Sequence, residues 1–122
     1  KGDKICLLGL SFKPNTDDVR YSTSLKIAKL LIARGITIKC YDPKVMKNAK
    51  LENPELNLYE NAYEACEDTK VIIIGTEWNE FRTLDFSKIK INMKGLTIFD
   101  LRNIYNPSEL RNLGFEYYGT GK

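Results

Sequence analysis

The residues of this chain that have the types for chemistry stand just after short apolar runs. Ile5–Leu8 is followed by Gly9–Arg20, GLSFKPNTDDVR, which gathers a lysine, a Pro-Asn turn, two adjacent aspartates and an arginine. Ile36–Tyr41 is followed by Asp42-Pro43, VIIIG at 71–75 by Thr76-Glu77-Trp78, and Leu96–Leu101 by Arg102-Asn103. Cations so placed suit an anionic ligand. Lys13 offers a point charge beside the flat ring of Phe12, and Arg102 a planar fork that matches phosphate or carboxylate with two bonds. The plainer readings are a solvated loop lysine and an Asp100–Arg102 surface pair. Asp17 and Asp18 look like paired carboxylates for a metal or a shared proton. Neighbours in a turn seldom aim at one point, so they read better as scaffolding: backbone acceptors, helix caps or partners of Arg20. The chain has no histidine, which excludes Ser-His and Cys-His relays and removes the commonest zinc ligand.

These residues need a scaffold, and the apolar pattern supplies one. Ile5–Gly9 reads as a strand. A helix over 22–34 has Ser22, Thr23 and Ser24 as candidate caps, with Ser24, Leu25, Ile27, Ala28, Leu31 and Ile32 on one face. Ile36–Tyr41 reads as a second strand, ended by Pro43. The polar stretch from Lys44 to Asn57 has room for a short helix. Leu56–Tyr59 reads as a short edge strand, Asn61–Glu67 as a helix, and the β-branched run 71–75 as a strand buried on both faces. Helical turns over Asn79–Arg82 and Phe86–Ile91, a strand over 96–101, a helix over 107–113 and a strand over 115–118 complete the chain. Alternating strands and helices predict an α/β fold: a Rossmann-like three-layer sandwich with a mostly parallel sheet in the order 3-2-1-4-5-6. That order makes the gap between the first and fourth strands a switch point, with the polar groups beyond the C-terminal strand ends.

Gly9 sits where a dinucleotide fingerprint has its first glycine, but Leu10-Ser11-Phe12-Lys13 supplies no second or third. A backbone carrying Phe12 cannot approach a pyrophosphate as G-x-G does, so NAD in the usual Rossmann manner is not expected here. Asp42 could serve as a ribose-binding acid, yet Pro43 makes a turn-forming role the better reading. Trp78 reads as a plug at the edge of the core, and Glu77 has no assigned role.

At 122 residues, 43% hydrophobic and 29% charged, the chain is expected to form one domain over 1–122 with a real core. A net charge of +3, with lysines interleaved among acids, predicts a solvated surface and no nucleic-acid partner. No apolar run nears the roughly 20 residues of a bilayer span, and no signal-peptide pattern is visible. Cys6, Cys40 and Cys66 form no CxxC pair, and two of them fall in predicted strands as small hydrophobes. A cytoplasmic location is expected.

GLSFKPNTDDVR resembles the signature that opens the C-terminal, UDP-binding domain of the nucleotide-sugar dehydrogenases, the UDP-glucose/GDP-mannose dehydrogenase family. YDP at 41–43, TEWNEFR at 76–82 and DLRN at 100–103 resemble its later motifs in the same order, so the likeness spans nearly the whole chain. Within that family the motifs look most like those of the UDP-glucose 6-dehydrogenases. The resemblance implies an NAD-dependent oxidation of a sugar C6 alcohol to a carboxylate, in two hydride transfers through a cysteine-bound intermediate. It implies that Phe12, Lys13 and Arg102 contact the UDP-sugar, and that Arg20 reaches NAD held mainly by an N-terminal domain. It implies partners too: the N-terminal and central domains of a parent enzyme, itself expected to be a homo-oligomer. The family's Gly-Gly-x-Cys nucleophile motif has no counterpart, so this domain is expected to bind but not to catalyse. A GDP-mannose or UDP-N-acetylhexosamine dehydrogenase is the sibling alternative, although Asn15-Thr16 and TEWNEFR lean toward UDP-glucose. A stand-alone regulatory or interaction module is the alternative from another class.

Overall fold

A computed structural model describes residues 3–10, 23–43, 57–76 and 78–119. Six strands form one sheet: β1 (Lys4–Leu8), β2 (Thr37–Tyr41), β3 (Asn57–Leu58), β4 (Val71–Ile74), β5 (Thr97–Asp100) and β6 (Glu116–Gly119). Their order is β3-β2-β1-β4-β5-β6, and every pairing is parallel. The fold expected from the alternating pattern is therefore the fold observed.

The helices among the described residues are α1 (Thr23–Ala33), α2 (Ala62–Cys66), α3 (Asn79–Arg82), α4 (Phe86–Ile91) and α5 (Pro107–Asn112). Three of them start on side chains that satisfy orphan backbone donors. Asn61 accepts from the N–H of Glu64, Asp85 from that of Lys88, and Asn106 from those of Ser108 and Glu109. The helical stretch considered between Lys44 and Asn57 lies outside the described residues, as do the candidate cap Ser22 and the aspartates Asp17 and Asp18.

Alternation along the strands builds two cores. On one face Leu7, Ile38, Cys40 and Ile73 pack with Leu10 and with Ala28 of α1, flanked by Ile27, Leu31 and Ile32. On the other, Cys6, Leu8, Tyr41, Ile72, Ile74, Ile98 and Tyr117 meet Ala62, Cys66, Phe81, Phe86, Ile89 and Leu110 from α2–α5. Right-handed crossovers explain the division. The step from β1 to β2 runs one way along the sheet and those from β4 to β6 the other, so their helices lie on opposite faces. The same rule places none of the described helices over β5 and β6 on the α1 side. There Phe99 and Tyr118, 40% and 50% exposed, stack with ring centroids 5.1 Å apart.

Two local findings depart from the sequence reading. Lys39 is not a surface lysine but is 6% exposed. Its position in β2 points it at the layer of α2, where Nζ donates to the Glu67 carbonyl at 2.6 Å and lies 4.6 Å from the Tyr59 ring centroid. The cysteines, distant in sequence, are not all distant in space: Cys6 and Cys66 bring their sulfurs to 3.4 Å across the interface of β1 and α2. Burial, and then the hydrogen bond to Cys66, push the Cys6 thiol well above its ordinary range. A thiol so placed is a poor nucleophile. Replacing all three cysteines by alanine should therefore lower stability but leave intact the nucleotide binding that the sequence resemblance implies. Loss of binding in a folded triple variant would contradict this.

Candidate functional site

The polar groups at the C-terminal edge of the sheet are organised by two buried carboxylates. Asp42, 1% exposed, follows β2. Its Oδ2 accepts the backbone N–H of Leu10 at 2.8 Å and the indole N–H of Trp78 at 3.1 Å. One carboxylate thus ties the chain after β1, β2 and β4 together. A turn-supporting role is the one seen, and Trp78 plugs the core edge as expected, half-buried against the α2–α5 side. More of the 76–82 motif serves the same purpose. Thr76 and Phe81 are fully buried, and Glu80 accepts from the Tyr41 hydroxyl at 2.7 Å.

Asp100, fully buried at the end of β5, is the second centre. Its Oδ1 accepts from the N–H of Arg102 at 3.0 Å. Its Oδ2 accepts from the N–H groups of Ile104 at 2.8 Å and Tyr105 at 3.1 Å, and from the Tyr117 hydroxyl at 2.7 Å. Three backbone donors converging on one anion fix the turn that carries Arg102. The Arg102 side chain then leans across the end of β4, its Nε donating to the Gly75 carbonyl at 3.2 Å. Gly75 is bonded in turn to β1, its N–H donating to Leu8 O at 2.8 Å. The guanidinium accordingly stands over the switch point, where open α/β sheets bind ligands. The simple Asp100–Arg102 side-chain pair considered from the sequence is not the arrangement found. The carboxylate holds the arginine's backbone instead.

Of the other residues expected at the site, Phe12, Lys13 and Arg20 lie outside the described residues, as does Glu77, to which no role is assigned. The β1 end does show how the chain enters that stretch. Gly9 has φ +96°, and a Cβ built there would stand 2.6 Å from both Cβ and N of Thr76. Leu10 is fully buried. Leu10 is committed to the α1-side core, and the candidate ribose acid Asp42 is turned inward onto Leu10 and Trp78, so it does not serve as the ribose-binding acid of a Rossmann site.

Tyr117 and Tyr105 were not singled out from the sequence, because nothing in a short C-terminal strand or a polar turn marks a tyrosine as a carboxylate or carbonyl partner. Burial is the main cause holding the phenols of Tyr41, Tyr105 and Tyr117 well above their ordinary value. The bond to Glu80 adds to it for Tyr41, the Asp100 charge for Tyr105, and the Asp100 bond for Tyr117. The folded state keeps these protons while the unfolded chain gives them up near pH 10. Their stabilisation is thus complete below about pH 10 and is lost as pH rises above it. Denaturant midpoints should begin to fall above pH ~8.5, where the unfolded chain's Cys6 thiol ionises, and fall more steeply beyond pH ~10, with part of the tyrosinate absorbance appearing only on unfolding.

A groove of about 370 Å³ lined by Asp3, Lys4, Asp68, Lys70 and Lys94 lies at the opposite, N-terminal edge of the strands. Its charges are mixed, and Lys70 and Asp3, both about half exposed, pair at 3.1 Å, as solvated surface groups do.

Residues 6–107 match the family model described as the UDP-glucose/GDP-mannose dehydrogenase family, UDP binding domain. The chain belongs to that family. Within the UDP-glucose/GDP-mannose dehydrogenase family, a UDP-glucose 6-dehydrogenase of Rhizobium meliloti is 43% identical over 122 residues, which are all of this chain and 28% of the relative. Among solved structures, the UDP-glucose dehydrogenase of Pyrobaculum islandicum matches 98% of this chain and 25% of its own, at 30% identity and TM-score 0.80. The NDP-N-acetyl-D-galactosaminuronic acid dehydrogenase of Methanosarcina mazei matches 99% and 25%, at 26% identity and TM-score 0.86. The chain therefore spans little more than a quarter of the length of these relatives. No helix among the described residues is long and apolar enough to cross a membrane.

Proposed function

We propose that this chain is the UDP-sugar-binding domain of an NAD-dependent UDP-glucose 6-dehydrogenase, which oxidises the sugar C6 alcohol to a carboxylate and gives UDP-glucuronate. The observation that carries the reading is Arg102, held over the β1–β4 switch point by Asp100 from below and the Gly75 carbonyl from the side. An arginine fixed at its backbone and at Nε meets a diphosphate with little entropy left to lose. In this reading Phe12 and Lys13 contact the same ligand, and Arg20 serves NAD, as the family resemblance implies.

The domain's task is binding. NAD is held mainly by another domain of the parent protein: Leu10-Ser11-Phe12-Lys13 supplies no second or third fingerprint glycine, and Asp42 is taken up by Leu10 and Trp78. Hydride acceptance is the chemistry NAD supplies. The nucleophilic cysteine also belongs elsewhere. Cys6, Cys40 and Cys66 are buried in the core and follow Ile5, Lys39 and Ala65 in place of the family motif's residues. The partners in this reading are the UDP-sugar and the N-terminal and central domains of a homo-oligomeric parent. The location is cytoplasmic, which suits buried cysteines kept as thiols.

The likeness to the Methanosarcina mazei enzyme favours a second reading, an N-acetylhexosamine nucleotide as substrate. The higher identity to the Rhizobium meliloti enzyme weighs for UDP-glucose. Calorimetric titration with UDP, GDP, UDP-glucose, UDP-N-acetylmannosamine and NAD tests both. UDP and UDP-glucose should bind, GDP and NAD far more weakly, and the 122-residue chain should make no NADH from UDP-glucose. Tight GDP binding, or NADH production by the pure chain, would overturn the reading.

A further inference from the structure

The turn that carries Arg102 is moulded by the neighbouring strand. Asp100 and Gly119 are register partners in β5 and β6, as are Ile98 and Tyr117. From β6, the Tyr117 hydroxyl donates to Asp100 Oδ2 at 2.7 Å, the same oxygen that accepts the N–H groups of Ile104 and Tyr105. The turn passes through Asn103 at φ +56°, a left-handed conformation that asparagine adopts more readily than other residues with a Cβ. Gly119 makes room for that turn. A Cβ at position 119 would stand 2.8 Å from Asn103 Oδ1 and 3.1 Å from the Tyr117 hydroxyl oxygen. The edge strand therefore grips the turn on both sides of Arg102, at Asp100 and at Asn103.

We propose that Tyr117 and Gly119 are positioning residues that aim Arg102 at the diphosphate of the nucleotide-sugar, acting through Asp100 and Asn103. The inference rests on the reading that Arg102 contacts that ligand. Tyr117→Phe removes one donor and leaves the ring in the core. Asp100 keeps its three backbone donors, so its carboxylate pivots without being stranded. Gly119→Ala brings a methyl group against the Asn103 amide oxygen and the Tyr117 hydroxyl together, pressing on the turn from its other flank through those side chains. Neither residue need touch the ligand, and neither bears on NAD.

The test is a set of cycles in the full-length protein, measuring the Kd for UDP-glucose and the KM for NAD. Tyr117→Phe and Gly119→Ala should each weaken UDP-glucose binding about three- to tenfold, as expected for one hydrogen bond to a charged group misplaced rather than lost. The KM for NAD should stay unchanged. In an Arg102→Ala background the same two substitutions should cost nothing further, which a purely structural role would not give. An equal cost in that background, or no cost beside a clear Arg102→Ala loss, overturns the proposal. If Arg102→Ala itself leaves UDP-glucose affinity intact, the reading beneath it fails and the proposal goes with it. Should Gly119→Ala unfold the protein, Tyr117→Phe alone decides.

Discussion

Arg102→Ala in the full-length protein should weaken UDP-sugar binding by about ten- to over a hundredfold, the loss of one charge-assisted contact of roughly 1.5–3 kcal/mol. The direction follows from the geometry. Asp100 holds the Arg102 backbone and Gly75 O holds its Nε, so the guanidinium is aimed before ligand arrives. Arg102→Lys should recover only part of the affinity, because an ammonium lacks the planar fork and cannot keep the Nε bond. Added salt should weaken the wild-type complex more than the alanine variant, since a partly exposed charge attraction is screened. The KM for NAD should hardly move, whereas Arg20→Ala should raise it and spare the UDP-sugar. Lys13→Ala should resemble Arg102→Ala. If both alanine variants bind UDP-glucose as the wild type does while remaining folded, the nucleotide site lies elsewhere.

The second large effect concerns Gly9, where β1 meets β4. Gly9→Ala should destabilise the chain by about 2–5 kcal/mol, from two sources. A left-handed residue with a Cβ costs about 1–2 kcal/mol, and Gly9 sits at φ +96°. Forcing an extra methyl into a packed place costs about 1–3 kcal/mol more, and here the methyl meets the backbone N and the Cβ of Thr76, both at 2.6 Å. Against a total stability of about 5–15 kcal/mol, that is a large fraction. Adding Thr76→Gly removes the Cβ and hydroxyl in the way but not the backbone nitrogen or the φ strain, so it should restore only part of the loss. Urea midpoints of the single and double variants measure this. A Gly9→Ala chain as stable as wild type would mean that the β1–β4 approach is looser than described.

The fold was legible in the sequence because its signals are local and agree with one another. VIIIG, the helical stripe Ile27–Ala28–Leu31–Ile32 and the turn residues between them define each element, and right-handed crossovers then leave few orders for six parallel strands. Boundaries moved by a residue or so, as ladder bonds end before an apolar run does: β4 stops at Ile74, one short of Gly75. That the polar groups gather at one edge was also legible, since each follows a strand and parallel strands all end on the same side. What they do to one another was not. Asp42 and Trp78, Asp100 and Tyr117, and Cys6 and Cys66 are 36, 17 and 60 residues apart. No periodicity links them, because their contacts depend on which strands are neighbours and on how far each loop folds back over the sheet. The sequence could therefore say that Arg102 stands at the mouth of a crevice. Only the tertiary structure decided that Asp100 grips its backbone, not its guanidinium, and that the side chain leans over β4. The physical reason is that a buried carboxylate must find donors wherever the chain brings them, and the nearest were the N–H groups of its own turn and a hydroxyl on the next strand.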